Sequence, residues 1–125
     1  MGKSYLIDTN VIVDAQMGNL SEKGLQLLRD IINENFTISF ITYIEVLGYK
    51  EVSQTTEDFI NLANVIEINK PIIDACISLR KQKNIKLPDA IIAATALVHG
   101  LTIISRNTKD FQNIKSLNCV NPHDL

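Results

Sequence analysis

Short runs rich in β-branched and aromatic residues alternate along this chain with longer stretches whose apolar residues recur at helical spacing. Tyr5-Leu6-Ile7, Phe36 to Ile41, Val65 to Ile68 and Leu101 to Ser105 are of the first kind, and Leu117 to Val120 adds an edge run. Between them lie helical segments. A short one runs from near Val11 to Gly18-Asn19, with turn and cap chemistry from Thr9-Asn10. A longer one is capped by Ser21 and has Leu25, Leu28 and Ile31 on one face. Three more carry Glu45, begin near Thr55-Thr56, and open at Asn69-Lys70-Pro71; the most apolar spans Pro88 to His99-Gly100, with glycine as its stop. Strands separated by helices predict an α/β fold, with a parallel four- to five-stranded sheet and helices on both faces in a Rossmann-like three-layer arrangement.

A length of 125 residues with 46% hydrophobic content is enough for one domain over 1–125 and a real core. The longest apolar runs are a few residues, and Met1 to Ser4 leads into the first strand without a signal-peptide core, which predicts a soluble cytoplasmic protein. Cys76 and Cys119 have no metal or disulfide spacing and read as apolar fillers in a reducing compartment. The net charge of −2 gives no overall attraction to polyanions, so nucleic-acid contact must rest on a local basic patch or on bound metal.

Several acids stand where an apolar run gives way to a helix. Asp8 ends the first strand, and its two readings are a plain helix cap and a ligand at the carboxyl edge of the sheet. Thr42-Tyr43-Ile44-Glu45 fits the T-x-x-E capping box, which on the residues alone is the stronger reading of Glu45; the other aims it at the same edge as Asp8. Asp89 opens the Ala-rich helix, where the helix dipole favours it, and Asp110 follows a strand in the polar loop 106–111. Arg80, Lys81, Lys83 and Lys86 suit a helix C-terminus and also stand ready for phosphate beside Asp89. His99 has a sufficient explanation in the dipole at its helix end.

In a parallel sheet these acids converge on one rim, where they raise one another's pKa unless a cation neutralises them. Oxygen ligands without nearby His or Cys suit Mg²⁺ or Mn²⁺, an ion adapted to phosphodiester hydrolysis. His99 and His123 have no nucleophile partner signature, and no phosphate-binding glycine loop is present.

Leu6 to Asn10, the Ser-x-x-Thr-x-x-Glu-Val-Leu pattern of 39–47, Pro88 to Ala96, and Thr102 to Phe111 occur in an order and at intervals that resemble the PIN domain, in particular the VapC-type toxins of prokaryotic toxin–antitoxin pairs. The resemblance covers almost the whole chain. It implies a PIN fold and a Mg²⁺- or Mn²⁺-dependent endoribonuclease, commonly a homodimer, held inactive by a cognate antitoxin whose C-terminal segment lies across the active-site groove. Carried over by position, Asp8, Glu45 and Asp89 match the family's regular acids, which moves Glu45 from cap to site. Asp110 matches the second acid of the last loop, while Asn107 stands where many relatives have aspartate and ligates without charge. Thr9 and Ser105 are expected to orient a ligand or water. Arg106 and Lys109, with Lys83 or Lys86, are expected to contact RNA phosphate, in single-stranded or looped RNA.

Two other readings compete with RNA cleavage. One is a PIN-fold RNA- or protein-binding module without turnover, which Asn107 favours. The other is a phosphoacceptor domain, which lacks the acceptor Asp at a central strand end, because the second strand ends in Ile41-Thr42 and the third in Ile68-Asn69.

Overall fold

The computed structural model describes residues 4–125. Its strands are β1 (Tyr5–Ile7), β2 (Thr37–Ser39), β3 (Asn64–Ile66), β4 (Thr102–Ile104) and β5 (Cys119–Val120). Its helices are α1 (Thr9–Gln16), α2 (Glu22–Asn35), α3 (Phe40–Leu47), α4 (Gln54–Ile60), α5 (Lys70–Gln82), α6 (Leu87–His99) and α7 (Thr108–Phe111). A 3₁₀ turn, Pro122–Asp124, follows β5. Among the described residues no helix is long and apolar enough to cross a membrane.

All strand pairings are parallel, as the alternation predicts, but they form two ladders, β1-β4-β5 and β2-β3, with β2 lying beside β1. The expected single sheet is interrupted because its strands are short. β2 stops at Ser39, two residues before the expected end, since the Ser39 side chain accepts from Ile41 N at 3.1 Å and starts α3 there. The third strand likewise ends at Ile66 rather than Ile68, the fourth keeps only the centre of its expected run, and the fifth only the last two residues.

Strand alternation sorts the core into two layers. Leu6 and Ile103 face α5, α6 and the buried Phe111 of α7, whereas Ile7, Ile38 and Ile104 face α1, α2, α3 and α4 through Val11, Leu28, Val46 and Ile60. Leu6, Ile7, Ile38, Ile60, Ile103 and Ile104 are wholly buried, each worth about 1.5–3 kcal/mol of transfer free energy. α6 is buried continuously from Ala90 to Ala96, as expected of so apolar a run. Gly100 ends it at φ 65°, a left-handed position where a side chain is strained.

The turn at 122–124 is fastened to the start of α2. Ser21 Oγ accepts from Gly24 N at 3.1 Å and lies 3.1 Å from the Leu125 carbonyl, to which it donates. A Cβ on Gly24 would collide with the backbone carbonyl of Pro122. Gly24 lies in the first turn of α2, where replacing glycine by alanine ordinarily favours the helix by up to about 1 kcal/mol. Here Gly24→Ala is expected to destabilise by about 1–3 kcal/mol, because the obstacle is backbone. Urea unfolding checks this: a lower midpoint at unchanged slope is expected, and a raised midpoint would show that the turn yields freely.

Candidate active site

The register of β1 against β4 builds the floor of the site. Ile7 pairs with Ile104, and Asp8 N donates to the Ile104 carbonyl at 3.0 Å, so Asp8 comes level with Ser105 at the carboxyl end of the ladder. Asp8 is 5% exposed, and burying a carboxylate demands hydrogen bonds. Oδ1 accepts from Thr9 N at 2.8 Å; Oδ2 accepts from Ser105 Oγ at 2.7 Å and Asn10 Nδ2 at 3.1 Å. Asp8 is thus the cap of α1, which begins two residues earlier than expected, and at the same time a wall of the cleft.

Ser105 is completely buried and saturated. Besides donating to Asp8 it accepts from Asn107 N at 3.0 Å, with Asn10 Nδ2 at 3.2 Å. It therefore orients Asp8 rather than meeting substrate. Asn10 completes the crosslink through Oδ1, which accepts from Arg106 N at 2.9 Å.

Glu45 is free of the capping role. The cap of α3 is Ser39, and Thr42 is wholly buried inside the helix, so the Thr42–Glu45 pattern is not a capping box. Glu45 is an exposed residue in the second turn, and its Oε1 accepts from Thr9 Oγ1 at 2.6 Å. The Thr42 hydroxyl lies 3.1 Å from that of Thr9, so one threonine ties α3 to the start of α1.

Asp8, Thr9, Glu45, Asp89, Arg106 and Asn107 line one cleft of about 330 Å³, with Asn10, Val13, Asp14, Pro88 and Ile92 completing it. Asp110 and Lys109 lie on α7, a helical turn where a polar loop was expected, and neither lines the cleft; nor do Lys83 and Lys86. Asp110 still acts on the site by its charge, as does Lys86.

Asp89 shows how crowded with negative charge the cleft is. Burial, then the charges of Asp110 and Asp8, push its pKa up to about 6; Lys86 opposes and Glu45 adds a smaller push. The dipole of α6, expected to favour the ionised form, is outweighed. Burial also raises Asp8, against the hydrogen bonds from Ser105, Thr9 and Asn10. Cys119 is pushed up to about 11 by burial and by Asp8, so it is an inert thiol here.

Among the described residues no three His, Cys, Asp or Glu side chains are close enough to form a ready-made metal site. The donor chemistry nonetheless fits a hard divalent cation. The acids facing the cleft are all oxygen donors that destabilise one another's charge, and the one cation lining it among the described residues, Arg106, is paired to Asp14.

Three residues with structural roles here were not flagged as site residues. In the sequence Asn10 signals only turn and cap chemistry. Asp14 is 3% exposed in α1 and accepts from Arg106 Nη1 at 2.9 and 3.2 Å, and His123 Nε2 stands 2.7 Å from its Oδ2. His123 thus has an acid partner, though no nucleophile. The available signal was Asp14 itself, a carboxylate set in the apolar run Val11-Ile12-Val13-Asp14-Ala15, which must find cations once that run is buried.

The family model described as PIN domain matches residues 5–117. The chain is 30% identical over 131 residues to a protein named Ribonuclease VapC1 from Haemophilus influenzae (strain R2866), covering 90% of this chain and 93% of the relative. A chain from a toxin–antitoxin complex of Klebsiella pneumoniae superposes with a TM-score of 0.75 at 35% identity, covering 95% of this chain and 98% of that one. The VapBC-1 structure from nontypeable Haemophilus influenzae gives a TM-score of 0.74 at 28% identity, covering 94% and 97%.

The raised pKa of Asp89 has a definite sign in stability. The folded chain holds the Asp89 proton more tightly than the unfolded chain, so this group's contribution to stability is fully present below pH 3.8 and is lost as pH rises through about 6. Without divalent ions, Asp89→Asn is expected to raise the thermal midpoint at pH 7 and to lose that advantage near pH 4. An unchanged midpoint at pH 7 would show that neither burial nor the neighbouring acids disfavour the Asp89 charge.

Proposed function

The chain belongs to the PIN domain family, and on that premise we propose that it is a cytoplasmic, metal-dependent endoribonuclease, one PIN domain over residues 1–125, acting as the toxin of a toxin–antitoxin pair. The observation that carries this reading is the convergence of Asp8, Glu45 and Asp89 on one cleft at the carboxyl end of β1 and β4, in a chain similar to a protein named a ribonuclease.

Asp8, Glu45 and Asp89 would hold Mg²⁺ or Mn²⁺, with Asp110 adding charge from α7 and Asn107 a neutral oxygen. When bound, such an ion lowers the pKa of a water for attack and neutralises charge on the phosphoryl oxygens. The chain's own residues do the rest. Ser105 and Asn10 fix the Asp8 carboxylate, so it presents one orientation to the cleft. Thr9 draws Glu45 toward Asp8 from a different helix. Arg106, at the cleft wall, would meet an RNA phosphate, and Lys109 on α7 outside the cleft lining would add positive charge. Splayed single-stranded or looped RNA suits an open cleft of this size.

The surface supports protein partners. Ile73 and Ile77 lie one turn apart and exposed on α5, apolar surface that supports the homodimer reading. An apolar groove of about 290 Å³ between α1, α2 and α4, lined by Ile12, Leu25, Leu28 and Phe59, suits a segment of the cognate antitoxin.

A binding module without turnover is the second reading, favoured by the neutral Asn107 and by acids that face one another without closing on a chelating set. Cleavage of a mixed RNA pool by antitoxin-free protein separates the two. Cutting is expected with Mg²⁺ or Mn²⁺, none with EDTA, and a loss of roughly 100-fold or more in Asp8→Asn and Asp89→Asn. The same ions are expected to raise the thermal midpoint of the parent chain and not of Asp89→Asn. Intact RNA under every metal condition, with RNA retained by the folded protein, would make it the binding module.

A further inference from the structure

Arg106 is held at three points, two on α1 and one at Asn121 before the 3₁₀ turn. Its backbone N–H donates to Asn10 Oδ1 at 2.9 Å, its carbonyl accepts from Asn121 Nδ2 at 3.5 Å, and its guanidinium Nη1 spans both oxygens of Asp14 at 2.9 and 3.2 Å. Asp14 is in turn met by His123, whose Nε2 stands 2.7 Å from the Oδ2 that Arg106 also touches. His123 belongs to the 3₁₀ turn that Ser21 and Gly24 fasten to α2. The guanidinium is about half exposed while the carboxylate that holds it is nearly fully buried.

That division matters for phosphate recognition. An unsupported arginine on a surface samples many rotamers, and ordering it opposes binding. Here only Nη1 is engaged, and Nε and Nη2 make no protein hydrogen bond among the described residues. Those two groups form the planar fork that matches two phosphate oxygens at once. A buried carboxylate touching a single nitrogen orients the fork without consuming it.

We propose that Asp14 and His123 are positioning residues that set the Arg106 guanidinium as a phosphate clamp at the cleft wall, which makes the turn at 122–124 a working part of the RNA site. The inference rests on the reading of this cleft as an RNA-cleaving site.

The test measures binding of a fluorescein-labelled, mixed-sequence single-stranded RNA to protein carrying Asp89→Asn, which suppresses turnover, in Mg²⁺ across a salt series. Circular dichroism confirms that each variant is folded. Arg106→Ala is expected to weaken binding about tenfold, the scale of one charge-assisted contact, and to lower the slope of log K against log salt by about 0.7. Asp14→Asn is expected to weaken binding in the same direction, and combined with Arg106→Ala to be no worse than Arg106→Ala alone. His123→Ala should follow Asp14→Asn, and His123→Gln, which keeps an N–H for Asp14, should restore binding. In the cutting-competent chain these changes should raise KM and spare kcat.

Tighter RNA binding by Asp14→Asn would overturn the inference, because Asp14 would then be masking the arginine's charge. So would losses that add fully in the double variant, or an unchanged Arg106→Ala. Those results leave the nuclease reading standing if the parent chain cuts RNA. A parent that neither binds nor cuts RNA removes both.

Discussion

Burying the carboxylate of Asp8 is the constraint on which the rest of the site depends. An ionised oxygen out of water has to be matched by donors, and α1 alone supplies only the Thr9 amide and the Asn10 side chain. The remaining donor, Ser105, directly follows β4 and reaches Asp8 only because Ile7 and Ile104 are paired in register. Ser105 then gathers Asn107, and Asn10 gathers Arg106, so the loop after β4 is shaped by the same few atoms that stabilise the acid. The cleft is the outer surface of this small polar knot.

The knot leaves its acids in tension. Asp89 sits at a helix start that should welcome negative charge, yet burial and three neighbouring carboxylates prevail. Asp14 is satisfied instead, with an arginine and a histidine closing on it. One end of the cleft is thus short of positive charge and the other is neutralised, an asymmetry suited to a cation at the first and an anionic backbone at the second.

The layer order and most helices were legible in the sequence because their signals are local: period, caps, and glycine or proline at the ends. The same local reasoning misplaced the start of α3. Both Ser39 and Thr42 are competent caps, and the T-x-x-E pattern favours Thr42; but Thr42 is needed in the interior, where it meets Thr9, so Ser39 takes the cap. Only packing across 33 residues decides that choice. The place of Asp8 and Asp89, after or at the edge of an apolar element, predicts that they meet at one rim, and both line the cleft. Asp14 and His123 were not singled out, because their partnership spans 109 residues and neither flank carries a motif.

Separation along the chain also governs how the molecule comes to exist. The hydrogen bond from Ser105 to Asp8 joins residues 97 apart, and the β1–β4 pairing beneath it is as distant. Closing so large a loop exacts its entropy before the contacts return any stabilisation, so the pairing belongs to the slow part of folding, after local helices such as α2 and α5 have formed. The acidic cleft and the long-range ladder therefore arise in one event. A chain in which β1 and β4 have not paired holds these acids scattered, so the cleft exists only once this long loop has closed.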